Sequence, residues 1–149
     1  MTRSISERIT GIQHLAYPVG DLELAERFYT EVFGAEVTRR MGNHISVIIG
    51  VGPRIDLFLE DEIVRTKNLH PHIGWDLSPE ELAECADILD KHGVGYDGPT
   101  HAGRTGTANI YFDDPWGNHH ELQWQNYPEG SPVKERDRSR MKYEWPPRS

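Results

Sequence analysis

The 149-residue chain repeats itself once. Residues 14–19, HLAYPV, lie over residues 72–77, HIGWDL, at an offset of about 58 residues. Each is followed by an amphipathic stretch ending in glycine, Gly34 in the first copy and Gly93 in the second. At the far ends, residues 54–58, RIDLF, lie over residues 119–123, HHELQ. A repeat of this kind is one supersecondary unit used twice, and neither copy buries its apolar face well alone.

Each copy reads strand, helix, strand, strand, strand. The first helix is expected over 21–33: Asp21 caps it, and Leu22, Ala25, Phe28, Tyr29 and Val32 recur at helical spacing. The second is expected over 79–92, with Ser78 as cap, Pro79 in the first turn and Glu81 completing a capping box. Leu82, Cys85, Ala86 and Leu89 form its apolar stripe. Strands are expected over 12–19, 36–40, 45–49 and 54–59, then over 72–77, 94–96, 107–112 and 119–125, with a long loop over 97–106. The expected fold is α+β: two tandem βαβββ modules, about 10–60 and 70–125, in one domain over 1–125.

Residues 126–149 fall outside the repeat. This tail is rich in proline and charge and reads as solvated, or as held down by Met141, Tyr143 and Trp145 over a cleft or a neighbouring subunit. Because both modules end before it, a chain ending at Gln125 is expected to fold.

Charge and composition bound the partners. The net charge is −8, and the tail holds six of the 16 basic but four of the 24 acidic residues, so the body is strongly acidic. Such a body repels phosphate backbones, which argues against nucleic acid. No apolar run approaches the roughly 20 residues of a membrane span, and the first residues, MTRSISERIT, lack a secretory core. Cys85 is the only cysteine, so no intrachain disulfide forms. A cytoplasmic setting is expected.

Eight histidines are the chemical clue. Side chains alternate along a strand. If Leu15, Tyr17 and Val19 face the helix, His14 faces away, and the same parity turns His72 away from Ile73, Trp75 and Leu77. In the last strand Leu122 and Trp124 go to the core with His120, so Glu121 points with His119 to the other side. Two modules side by side then bring His14, His72 and Glu121 to one hollow. Two histidines and a carboxylate leave open positions on Fe(II) and also suit Zn or Mn. Asp56 matches Glu121 under the repeat; a fourth ligand, a base and an arginine partner are all open to it. His70 and His119 share the ligands' parity, and Tyr111 faces the hollow while Phe112 faces the core.

The segments HLAYPVGDLELAERFYTEVFGAEV, HIGWDLSPEEL and YFDDPWGNHHEL resemble the vicinal oxygen chelate superfamily, which includes glyoxalases, bleomycin resistance proteins and extradiol dioxygenases. The likeness spans roughly residues 9–126. The turn 114–118, DPWGN, leading to Glu121 is its strongest piece, and residues 110–121 are similar to the extradiol signature, with His101 at its upstream histidine. The resemblance implies a homodimeric, metal-dependent dioxygenase. Fe(II) would be held by His14, His72 and Glu121, dioxygen and a catechol-like small molecule would bind it, Tyr111 would bond the substrate oxygen and His101 would move protons. The alternatives are a glyoxalase-like lyase or isomerase on Zn or Ni, with Glu121 or Asp56 as base, and a metal-free binding protein. Fosfomycin transferases are disfavoured, because Ala16 and Gly130 stand where a threonine and a basic group are expected.

Overall fold

The computed structural model describes residues 2–78, 81–101 and 106–148. Its order is β1 (His14–Val19), α1 (Leu22–Glu31), β2 (Glu36–Arg40), β3 (His44–Ile48), β4 (Arg54–Leu59), β5 (His72–Asp76), α2 (Leu82–Lys91), β6 (Tyr96–His101), β7 (Ala108–Asp113) and β8 (His119–Trp124). The strands form two four-stranded sheets, ordered β1-β4-β3-β2 and β5-β8-β7-β6. In each sheet the first strand pairs in parallel with the last, and the rest is antiparallel. The repeat holds in register: Ala16 pairs with Asp56 as Gly74 pairs with Glu121. These are two tandem βαβββ modules, α+β as the repeat requires.

Local chemistry explains the boundaries. The Asp21 carboxylate accepts the Leu24 N–H at 2.8 Å and satisfies a free donor of the first turn. Gly34 and Gly93 sit at φ +67° and +70°, where a β-carbon is disfavoured, and each stops its helix. The second helix starts later than its cap signal suggests. Glu81 takes the cap position without a side-chain bond, and the Ser78 carbonyl accepts the Glu81 N–H at 3.1 Å in a turn. The expected first-turn Pro79 lies outside the described residues. The sixth strand is a further correction. It runs over Tyr96–His101, through what reads as loop, because Gly98 and Pro99 make an irregularity between two paired stretches rather than an end.

One core joins the modules. Helix α1 packs on β2, β3 and β4 and α2 on β6, β7 and β8, and the turn after α1 reaches the second sheet. There the Phe33 ring meets His120 at 4.8 Å, Phe112 at 5.3 Å and Trp75 at 6.2 Å between centroids. Trp75 Nε1–H donates to His120 Nδ1 (3.1 Å), which leaves the proton on Nε2 facing the Tyr29 hydroxyl at 2.9 Å. That hydroxyl donates to Asp114 (2.9 Å). Asp114 also accepts the Trp116 and Asn118 backbone N–H groups, tying the DPWGN turn to α1. Among the described residues no helix is long and apolar enough to cross a membrane.

The tail packs on its own chain. Tyr127, Met141 and Trp145 are buried. Trp145 Nε1–H donates to the His92 carbonyl at 2.8 Å, and its ring meets Phe28 edge-on at 5.3 Å. Arg65 stacks over Tyr143 at 4.0 Å. Burying one large apolar side chain is worth about 1.5–3 kcal/mol. A chain ending at Gln125 is therefore expected to lose more than about 3 kcal/mol, opposite to the expectation from the repeat alone. An unchanged urea midpoint on truncation contradicts this.

Candidate metal centre

The core face of the first sheet packs on α1 and that of the second on α2, so the opposite faces carry the polar residues. On the second sheet His72 and Glu121 meet, Nε2 to Oε2 at 2.9 Å. Tyr111 pairs with Glu121 across the strands, and its ring stands edge-on to His72 at 5.6 Å. Gly74 is opposite Glu121, and even an added β-carbon would lie 3.8 Å from Oε2, so the strand leaves the carboxylate uncovered.

The donor set fits a divalent metal. His72 Nδ1–H donates to the Leu69 carbonyl at 2.9 Å, which leaves Nε2, at 2.9 Å from Glu121 Oε2, as the ring nitrogen that a metal would take. Metal-binding histidines are held in this way by a bond at the other ring nitrogen. Glu121 Oε1 accepts from Asn109 Nδ2 at 2.9 Å, so Oε2 is the oxygen available to a cation. A histidine nitrogen and a carboxylate oxygen suit Zn, Mn or Fe(II) alike.

His14 does not reach this pair within one chain. It is exposed on β1 of the other sheet, with Nδ1 at 2.8 Å from Gln13 Oε1, an arrangement that also leaves Nε2 free. Among the described residues, no group of three or more His, Cys, Asp or Glu is placed to hold a metal ion. Shared parity put the three ligands on equivalent faces; the packing of one module on the other turned those faces apart.

Asp56 is on the His14 face and is already engaged. Its Oδ1 accepts from the Ser46 hydroxyl at 2.6 Å and from Arg54 Nε at 2.9 Å. Burial acts to raise its pKa, but the Ser46 hydroxyl and the Arg54 charge outweigh it and hold the carboxyl below its ordinary value. Asp56→Ala is therefore expected to leave metal affinity within about threefold of wild type, whereas losing an outer-shell partner of a ligand costs roughly 10–100-fold. Loss of metal as severe as in Glu121→Ala, read by chelator competition, contradicts this.

His101 does not join the site. It pairs with Ala108, which shares the core-side parity of Ile110 and Phe112, and its ring meets Tyr127 at 5.9 Å. Tyr111 faces the other way, beside Asp97 of the same strand β6. His119 also has no role at Glu121: Nδ1 is 2.6 Å from Asp113 and Nε2 is 2.7 Å from the Thr66 hydroxyl. His70 stands beside His72, Nδ1 to Nδ1 at 3.2 Å. Burial, then the charge of Glu121, raises the Tyr111 hydroxyl above its ordinary pKa and keeps it a donor. The residues missed by sequence reasoning are Asn109, the Leu69 carbonyl and Arg136. Asn109 has the parity of Tyr111 and was findable; Arg136 belongs to the tail, where strand alternation gives no guide.

Two βαβββ modules with a histidine–carboxylate pair on the last sheet define a class. The chain belongs to the glyoxalase/bleomycin resistance protein/dioxygenase superfamily, whose family model matches residues 11–122. A metallothiol transferase, FosB, of Lysinibacillus sphaericus is 29% identical over 116 residues, which is 76% of this chain and 82% of that protein. A fosfomycin resistance protein, FosX, of Listeria monocytogenes is similar in structure, with TM-score 0.67, 27% identity, and 78% of this chain and 93% of that one covered. A mutant of FosX has also been crystallised with Mn(II) and 1S,2S-dihydroxypropylphosphonic acid; that structure covers 78% of this chain and 93% of its own at 26% identity and TM-score 0.66. Lactoylglutathione lyase of Agrobacterium tumefaciens shares the fold, with TM-score 0.62, 23% identity, and 78% and 94% coverage.

Proposed function

We propose that this chain is a homodimeric, metal-dependent enzyme that adds a nucleophile to a small substrate bound through two neighbouring oxygens. The observation that carries the reading is the His72–Glu121 pair, with each partner's far side already hydrogen-bonded. His14 of the partner subunit supplies the third ligand. A twofold exchange of modules creates two equal sites from faces that one chain keeps apart. A divalent metal there polarises a substrate oxygen and stabilises the charge that develops when a bond to it breaks.

The chain's own residues do the rest. His72 and Glu121, with His14 of the partner subunit, would hold the cation and leave its remaining positions to substrate. Tyr111 donates its hydroxyl to a substrate oxygen and so fixes orientation. With Asp56 tied to Arg54 and Ser46, the site has three protein ligands, which removes the fourth ligand or base that the glyoxalase-like lyase needs from that position. Likeness to the metallothiol transferase FosB and to the fosfomycin resistance protein FosX supports fosfomycin or a similar phosphonate as the substrate and a thiol or water as the nucleophile. Arg136, which the tail brings to the ligand face, offers the basic group that Gly130 lacks, while Ala16 still stands where that branch is expected to carry a threonine.

The second reading is the Fe(II) and dioxygen ring cleavage expected from the sequence. Tyr111 beside Glu121 favours it, and the position of His101 on the far face leaves it without that proton carrier. The test loads the protein with Mn(II) or Fe(II). It is offered fosfomycin with cysteine, fosfomycin with water alone, and a catechol in air. A new phosphonate product by phosphorus NMR supports the first reading, and a coloured ring-opened product replaces it with the second. A protein that retains no metal overturns both in favour of a metal-free binding role.

A further inference from the structure

The tail reaches the candidate ligand set through Arg136. Residues 134–137 lie along the open edge of β6: Lys134 N–H donates to the Pro99 carbonyl at 2.8 Å, and the Thr100 hydroxyl donates to the Lys134 carbonyl at 3.0 Å. Asp137 N–H donates to Asp97 Oδ1 at 2.8 Å. Held there, Arg136 swings over the sheet. Its Nη1 is 3.1 Å from Oδ2 of Asp97, a carboxylate with no exposed surface, and its guanidinium stacks over the Tyr111 ring at 5.0 Å. Its Nη2 donates to Asn109 Oδ1.

That last bond has a consequence for Glu121. An amide whose oxygen accepts from Arg136 must present its NH2 on the other side, and there Asn109 Nδ2 donates to Glu121 Oε1 at 2.9 Å. Asn109 is 3% exposed and Glu121 7%, so the bond between them is buried, while Arg136 keeps part of its side chain in solvent. Without the arginine, the Asn109 amide is free to turn over and set its oxygen against the carboxylate, which repels it.

We infer that the C-terminal segment is a working part of the metal centre, with Arg136 a positioning residue that fixes the metal-facing oxygen of Glu121 through Asn109. The inference rests on the proposed ligand role of Glu121. Arg136 lies beyond residues 11–122, the stretch that the superfamily model matches. Linkage makes the effect mutual: whatever factor the docked tail adds to metal affinity, bound metal adds to tail docking.

Charge and positioning predict opposite signs, which makes the test sharp. Removing a cation near a metal site strengthens metal binding if electrostatics alone acts. Removing a positioning residue weakens it, by about 10-fold on the scale of outer-shell partners. Affinity for Mn(II) or Zn(II) is measured by chelator competition on the full chain for wild type, Arg136→Gln, Asn109→Ala and the double variant, with Glu121→Ala as reference. Folding of each is checked by circular dichroism and urea midpoint. The expected result is about a 10-fold loss in each single variant and no further loss in the double, because the two act in one relay. Arg136→Lys keeps the charge beside Asp97 but lacks the fork, and is expected to fall between wild type and Arg136→Gln. Metal is also expected to slow tryptic cleavage at Arg136, Arg138 and Arg140 in wild type, but not in Asn109→Ala. Unchanged or tighter binding in Arg136→Gln overturns the inference, as does a fully additive double variant. Undiminished binding in Glu121→Ala instead overturns the ligand assignment beneath it.

Discussion

Mixing two inactive variants is expected to restore metal binding that neither has alone. His14→Ala and Glu121→Ala should each lose the metal sharply, since two remaining ligands hold a divalent cation poorly. When the two are unfolded together and refolded, half of the dimers carry one chain of each kind. In such a dimer one site pairs the intact His72 and Glu121 of one chain with the intact His14 of the other, and the second site lacks both ligands. Total capacity should therefore return to about one quarter of wild type. If each chain built its own site, every site in the mixture would still lack a ligand and nothing would return. The measurement is bound metal per chain after gel filtration of the mixture, beside each variant refolded alone. Absence of recovery in a mixture that forms dimers removes the shared-site reading and leaves His70 as the next histidine to try.

The buried chain Trp75–His120–Tyr29–Asp114 should shape stability against pH in a way that one substitution exposes. Burial pushes His120 down to about 3 and Asp114 up to about 6. His120 is depressed below its unfolded value near 6.5, so its contribution is complete above that pH and is lost as pH falls toward about 3. Asp114 is raised above its unfolded value, so its contribution is complete below about 4 and is lost as pH rises through about 6. Between about pH 6 and 4 the folded chain holds one proton on Asp114 while the unfolded chain holds one on His120. The two slopes then cancel, and this chain of groups leaves stability flat there.

Asp114→Asn removes one side of that balance. The His120 slope of about 1.4 kcal/mol per pH unit is left uncompensated. Relative to wild type, the variant should lose a further ~2 kcal/mol between about pH 6 and 4.5, beyond any constant offset from its altered hydrogen bonds. Urea unfolding of the metal-free proteins at several pH values reads this as diverging curves. Parallel curves would show that the network does not hold His120 neutral and Asp114 protonated in this range.

How much of this was legible beforehand depended on the range of the interaction. Asp21, Gly34 and Gly93 act within one helical turn, and each stands where the chain needs it. Strand alternation is as local: it put His72 and Glu121 on one face, and it turned His120 inward to Trp75 and Tyr29. The repeat went further, because two copies of one pattern must make the same pairings, and Asp56 and Glu121 do occupy equivalent register. The place of His101 escapes local reading for a related reason. An irregularity at Gly98 and Pro99 shifts the pairing of β6, and parity counted from a motif does not see it.

The sequence by itself determined the two βαβββ modules, their glycine stops and the residue types on each polar face, because hydrophobic period, capping and strand parity act between near neighbours. Only the tertiary structure decided that the modules meet through Tyr29, Phe33 and His120 with His14 away from His72 and Glu121, that Arg54 and Ser46 hold Asp56, and that the tail returns Arg136 to Asn109. Those outcomes come from contacts between distant segments. Nothing in the spacing of residues along the chain fixes how one module settles on another, or where a segment outside the repeat finds buried partners for its aromatic and charged side chains.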